Sequence, residues 1–281
     1  MTPKRSKTTR LHLLIASAAL SMMGTSMMGP MAWAEGSSTI ADRDDAPWLV
    51  LVSPFVWAPS MSGQATLGGV NTHVDVPFSQ TLGNLNSVFM GNLEVTNRTL
   101  GFYVDGVYAD THESHRVMGQ KVGLSITQTT VAVGAYYRAY EQVLGGATIF
   151  GEPRAWRVEP TAGVRWTRLA SKLEIDSLGF ATQKKAQWSD PFLGLRMQAD
   201  LTDRWTLSGE ADLGGFDTAT KNSYNAQGNL GYRTYLFQYP TILRAGYRVL
   251  SQEYQTRDFT GNRFKYDVTQ RGPVLGLSVR F

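Results

Sequence analysis

The 281-residue chain carries 27 Lys and Arg, 23 Asp and Glu and no cysteine. Without cysteine there is no disulfide, no Cys-ligated zinc and no thiol nucleophile. The formal charge of +4 comes from Lys4, Arg5, Lys7 and Arg10, which lie in a stretch, 1–34, that holds no acidic residue, so the charge does not point to nucleic acid.

That stretch reads as a secretory leader. After its basic residues, Leu11 to Met23 is mostly apolar and uncharged, and Ala32-Trp33-Ala34 places small residues at the two positions a signal peptidase reads. Cleavage is expected between Ala34 and Glu35, with 35–46 as an N-terminal periplasmic tail. The apolar stretch is too short, and too rich in Ser, Gly and Met, for a membrane anchor.

Residues 47–281 read as one all-β domain. No segment approaches the roughly eighteen apolar residues of a spanning helix. Instead the chain alternates at period two, which sends successive side chains to opposite faces of a strand. Ten strands are predicted near 48–61, 87–97, 99–112, 122–140, 154–172, 182–202, 204–216, 223–236, 241–257 and 264–281. Tight turns fall at Asn97-Arg98, Thr202-Asp203 and Gln238-Tyr239-Pro240, and longer polar connections near 112–121, 173–181, 217–222 and 258–263. The connection 141–153 is longer than a periplasmic turn should be, which leaves counts of eight or twelve strands open.

The polarity of the faces separates a soluble sandwich from a membrane barrel. In 156–167, Trp156, Val158, Pro160, Ala162, Val164 and Trp166 oppose Arg157, Glu159, Thr161, Gly163, Arg165 and Thr167. The same pattern recurs in 190–201, 205–214 and 243–249. Apolar faces ending in Trp and Tyr, opposite faces of charge and glycine, suit a closed antiparallel transmembrane barrel with a wet interior. The final strand agrees: Pro273, Leu275, Leu277, Val279 and Phe281 share its apolar face. Its ending on Leu277, Val279 and Phe281 resembles the C-terminal assembly signal of Gram-negative outer-membrane barrel proteins. The implied partners are outer-membrane lipid and the outer-membrane barrel assembly machinery.

Residues 62–86 break the pattern at Gly68-Gly69 and Pro77, with a helical turn or two expected over 79–85 behind an N-cap at Ser79. This segment is read equally as a plug within the barrel or a lid over its outer mouth. Trp57-Ala58-Pro59-Ser60, Val74-Asp75-Val76-Pro77-Phe78, Asp190-Pro191, Asp212-Leu-Gly-Gly-Phe216 and Gly231-Tyr232-Arg233 resemble motifs of a family of small, porin-like outer-membrane barrels of Gram-negative bacteria. The resemblance implies a barrel and brings no substrate, cofactor or catalytic residue.

The predicted lumen carries Arg138, Arg157, Arg165, Arg196, Arg233, Arg244, Arg248 and Arg280 against Glu94, Asp105, Glu159, Asp190, Asp200, Glu210 and Asp212. Opposed charges line pores that sort small polar solutes. Near balance of sign in so narrow a barrel also suits a network of ion pairs that fills the interior. Catalytic chemistry has little to stand on. His112 and His115, with Asp110 and Glu113, are placed on an outer polar loop, where neither a metal site nor a protease dyad is completed. The chain is therefore not expected to be an enzyme, to bind nucleic acid or to use a cofactor or metal. Its reading is a narrow channel or binder for a small polar solute, or a non-conducting structural or surface-interaction barrel.

Overall fold

A computed structural model of the chain describes residues 47–67, 70–83, 85–117, 120–175, 180–217, 221–257 and 263–281. The expected leader, its cleavage point at Ala34 and Glu35 and the 35–46 tail lie outside the described residues. The described chain forms β1 (Leu49–Trp57), β2 (Ser60–Leu67), β3 (Val70–Val76), α1 (Phe78–Gly83), β4 (Leu85–Thr96), β5 (Leu100–Val117), β6 (Gln120–Tyr137), β7 (Tyr140–Ala147), β8 (Pro153–Ile175), β9 (Phe180–Asp200), β10 (Trp205–Asp217), β11 (Lys221–Leu236), β12 (Tyr239–Arg257) and β13 (Arg263–Arg280).

Ten strands make a closed antiparallel barrel in the order β1-β4-β5-β6-β8-β9-β10-β11-β12-β13, and β13 pairs back onto β1 to complete the ring. Closure gives each of these ten strands a partner on both sides, which a bilayer demands because it offers no water to unpaired backbone groups. The predicted ten strands match these ten in order, and β2, β3 and β7 are additions to them.

β1 and β2 follow one path along β13, broken at Ala58-Pro59: Trp57 faces Val274 and Ser60 faces Arg271. Pro54 and Pro59 have no N–H to give a ladder. The β1–β4 pairing ends at Pro54 opposite Gly91, and beyond it the Trp57 N–H donates to Met90 Sδ at 3.1 Å. Where sequence reasoning left a plug and a lid open for 62–86, its described part is a β2–β3 hairpin that extends the wall beside the outer half of β13, followed by α1. The helix begins at Phe78, one residue before the expected cap, and Thr81 N–H bonds the Pro77 carbonyl at 3.1 Å.

At one end of the barrel the turns are tight and built by side-chain acceptors. Asn97 Oδ1 accepts from the Thr99 and Leu100 amides at 3.1 and 2.7 Å, and Thr202 Oγ1 accepts from Trp205 N at 2.9 Å. Phe237 and Gln238 both take positive φ, 49° and 72°, the two-residue hairpin geometry whose twist matches the strands. Short turns mark this as the periplasmic end. At the other end the strands run further than predicted. The polar stretch expected as a loop over 112–121 continues the ladder, with His112 opposite Ser125 and His115 opposite Val122. Polar strands can pair above a membrane as well as within it, because ladder bonds do not depend on side-chain polarity.

The connection 141–153 is neither a loop nor an eleventh wall strand. β7 carries β6's path onward beside the start of β8, and the turn 148–152 reverses the chain into β8. Gly145, Gly146 and Gly151 hold φ of 81°, 72° and 82°, conformations that side chains with a Cβ resist.

Candidate functional site

The outer surface of the ring is an apolar belt. Leu193, Leu213 and Leu275 are 60, 65 and 63 % exposed, with Leu195, Leu207, Leu243 and Val133 beside them. Tyr137, Tyr140, Trp156, Trp205, Tyr235, Tyr239 and Phe281 gather exposed aromatics near the short-turn end. Such a belt would be an aggregation surface in water and is what lipid requires. Leu277, Val279 and Phe281 lie on this face. The Phe281 amide donates to Val50 O at 2.9 Å, and its ring meets Tyr239 at 5.0 Å.

The inner face is filled in layers that can be followed up β12 from the periplasmic end. Lowest is Asp200, 0 % exposed, which accepts from Ala155 N at 3.0 Å, from Arg157 Nη1 at 3.4 Å and from Arg233 Nη2. Arg157 also donates to Glu141 at 3.0 Å, and Arg138 to Glu159 at 3.0 Å. Next, Arg196 reaches across the lumen to Glu94 at 2.9 Å, lies over the Tyr136 ring at 4.1 Å and comes within 3.9 Å of Glu210. Above it Arg165 grips both oxygens of Asp212 at 2.8 Å, Asn225 donates to Asp212, and Arg248 spans from Asn225 to Asp105 at 3.1 Å. Asp190, buried beside this layer, accepts from Trp188 Nε1 at 3.2 Å.

Toward the outer end the filling changes character. Trp57, Met90, Val107, Leu250 and Val274 form an apolar layer inside the barrel. Gln252 then donates across to Thr167 at 2.9 Å, and Gln270 to Gln128 at 2.7 Å. Trp188 stacks on Tyr254 at 4.8 Å and meets Tyr266 at 5.5 Å, with Met61, Val74 and Phe264 around them. The polar interior expected from the faces thus holds for the periplasmic half and gives way to apolar and aromatic layers in the outer half. In those strands both faces are apolar, as at Val249-Leu250 and Pro273-Val274, and alternation carries no signal.

Glycine and tyrosine interlock at the wall. A Cβ on Gly134 would stand 2.6 Å from the Tyr103 ring, so the bare backbone is what lets that ring lie flat against β6. The Tyr103 hydroxyl then meets Thr161 Oγ1 at 3.0 Å and Tyr136 donates to Glu94 at 2.6 Å.

The β7–β8 turn closes the periplasmic mouth. Ile149 N–H donates to Asp203 O at 3.1 Å, Tyr235 donates to Ile149 O at 2.9 Å, and Phe150 packs edge-on against Tyr235 at 5.4 Å. Glu152 accepts from Arg98 at 2.8 Å and from Arg280 at 2.5 Å. These partners come from the β4–β5 turn, the β9–β10 turn, β11 and β13, so the turn lies under the lumen as a floor. Arg280, assigned to the lumen from sequence, is one of its clamps at the rim. Glu141 and Glu152 were not predicted; the glycines at 145, 146 and 151 in an overlong connection were the available signal.

Between the floor and the Arg165–Asp212 layer is a cavity of about 130 Å³. Arg196, Glu210, Arg244, Asn92 and Ser208 are among its lining. Among the described residues no group of His, Asp and Glu is arranged to hold a metal ion.

A closed barrel, apolar outside, ringed with aromatics and filled with ion pairs, defines a transmembrane β-barrel of the outer-membrane type. No family model and no curated protein matches the chain. Solved structures similar to it include Ail, the attachment invasion locus protein of Yersinia pestis, at 9 % identity over 83 % of this chain and 98 % of that one, TM-score 0.35. The translocator domain of the autotransporter NalP from Neisseria meningitidis is similar at 11 % identity over 86 % and 92 %, TM-score 0.31. A Pseudomonas aeruginosa FadL homologue is similar at 10 % identity over 84 % and 90 %, TM-score 0.27.

Proposed function

We propose that this protein is a filled outer-membrane barrel that conducts nothing at rest and serves as a structural or surface-interaction element. In this reading it is exported behind a leader cleaved after Ala34 and inserted into the outer membrane of a Gram-negative bacterium by the barrel assembly machinery. Its partners are lipid and whatever meets its outer end; it is neither an enzyme nor a nucleic-acid binder. One observation carries the reading: side chains meet across the lumen at successive levels, from Glu152–Arg280 through Arg196–Glu94 and Arg248–Asp105 to Gln252–Thr167 and Trp188–Tyr254. A solute or hydrated ion would have to part every layer, and each charged layer resists because breaking a buried pair costs about 3–5 kcal/mol.

Planar-bilayer recording of the refolded mature protein tests this. A flat trace is expected at every voltage the bilayer withstands. Reproducible single-channel steps would overturn the reading and favour a narrow porin-like channel, the alternative that the 130 Å³ cavity supports.

A further inference from the structure

The charges around the central cavity can be matched one by one. Arg196 is hydrogen-bonded to Glu94, Arg248 to Asp105, Arg165 to Asp212 and Arg138 to Glu159. Two charged groups in the lining are left over. Arg244 has no ion-pair or hydrogen-bond partner among the described residues, and Glu210 has only the 3.9 Å approach of Arg196. They do not pair with each other, although Glu210 and Glu94 are the carboxylates in electrostatic reach of Arg244. The Nε and Nη1 of Arg165, a residue only 1 % exposed that also lines the cavity, lack partners too.

A half-buried guanidinium and a half-buried carboxylate left without partners are costly in a confined lumen. A single anion or cation would satisfy one and leave the other. A small molecule carrying both signs satisfies the two together, its carboxylate taking the Arg244 fork and its ammonium facing Glu210. We propose that the cavity is a binding site for a small zwitterion of the amino-acid class, held between Arg244 and Glu210. The volume agrees, since about 130 Å³ holds a molecule of a few heavy atoms and excludes larger solutes. The site goes beyond the closed-barrel reading and does not depend on conduction.

Because the floor lies below the cavity and packed layers lie above it, the probe is supplied during folding. The mature protein is refolded into detergent with radiolabelled glycine, acetate or methylammonium, then freed of unbound probe by gel filtration. Glycine should be retained stoichiometrically by the wild-type barrel, and acetate and methylammonium should not. Arg244→Met and Glu210→Gln should each retain about tenfold less glycine or below, the scale of one charge-assisted contact. Neither side chain holds another part of the wall, so both variants should keep the heat-modifiable mobility of a folded barrel, which is checked on the same samples. Absence of retained glycine in the wild type, retention of acetate equal to that of glycine, or undiminished retention by folded Glu210→Gln would each overturn the proposal.

Discussion

Glu152, the last residue of the turn before β8, meets Arg280 of β13 at 2.5 Å although β8 and β13 stand on opposite sides of the ring. The turn that carries Glu152 brings them together at the rim, and the same carboxylate holds Arg98 at 2.8 Å. The latch is partly solvated, with Glu152 and Arg280 side chains 24 and 22 % exposed, so it orders the floor more than it stabilises the barrel. Its loss should cost about 1 kcal/mol or less.

That gives a prediction about access. The chain has no cysteine, and Ala155 is 0 % exposed behind the floor. A thiol placed by Ala155→Cys should react slowly with a water-soluble maleimide. Adding Glu152→Ala should speed labelling severalfold while the barrel stays folded. Unchanged labelling would mean that the other floor contacts suffice and Glu152 is no latch.

A second prediction separates the two faces of β9. Leu195 points to lipid and Gln198 into the lumen beside Asp200. Leu195→Arg should impair insertion, at about 2–4 kcal/mol for a charge near the bilayer midplane, while Gln198→Arg finds carboxylates and water. Outer-membrane abundance of the two variants is the readout, and equal abundance would contradict the orientation of this strand.

What the sequence made legible follows from where alternation is strict. In β8, β9, β10 and the periplasmic half of β12 charged and apolar residues alternate cleanly, and the side chains of Arg157, Arg165, Arg196, Asp212 and Arg248 reach partners on other strands of the ring. The order and approximate bounds of the ten wall strands came from the same signal. The floor was not legible, because Glu152 takes its meaning from Arg98 and Arg280, far away in sequence. Nor was the apolar outer half of the lumen, since Trp57, Met90 and Leu250 sit in strands whose two faces look alike. The hairpin in 62–86 was hidden for a third reason. Its pairing partner is β13, whose register with β2 is fixed by closure of the whole ring and not by any local turn.

Phe281 supplies a prediction about assembly. Its ring is 57 % exposed and touches Tyr239, and its backbone bonds Val50 in both directions. Phe281→Ala keeps the backbone bonds and should cost about 1 kcal/mol of packing. Refolding into detergent should then be nearly normal. If Phe281, with Val279 and Leu277, is read by the assembly machinery, the inserted amount in cells should fall sharply. Parallel mild losses in both settings would remove the assembly role.

The last prediction concerns the Arg165–Asp212 pair. Arg165 is 1 % exposed and Asp212 3 %, so neither charge has water to fall back on. Asp212→Ala removes both 2.8 Å bonds to Arg165 Nη2 and one from Asn225, and leaves a buried guanidinium whose Nε and Nη1 already lack partners. The cost should be about 3–5 kcal/mol, seen as a lower midpoint for unfolding in detergent and urea. Replacing both members, Arg165→Met with Asp212→Leu, removes the stranded charge together with the bond. It should recover most of the loss, because a filled apolar layer serves a closed barrel as well as an ion pair does. If the double variant were no more stable than Asp212→Ala alone, the pair would be holding the wall through geometry that methionine and leucine cannot reproduce. The reading of the lumen as interchangeable filling would then be wrong at this level.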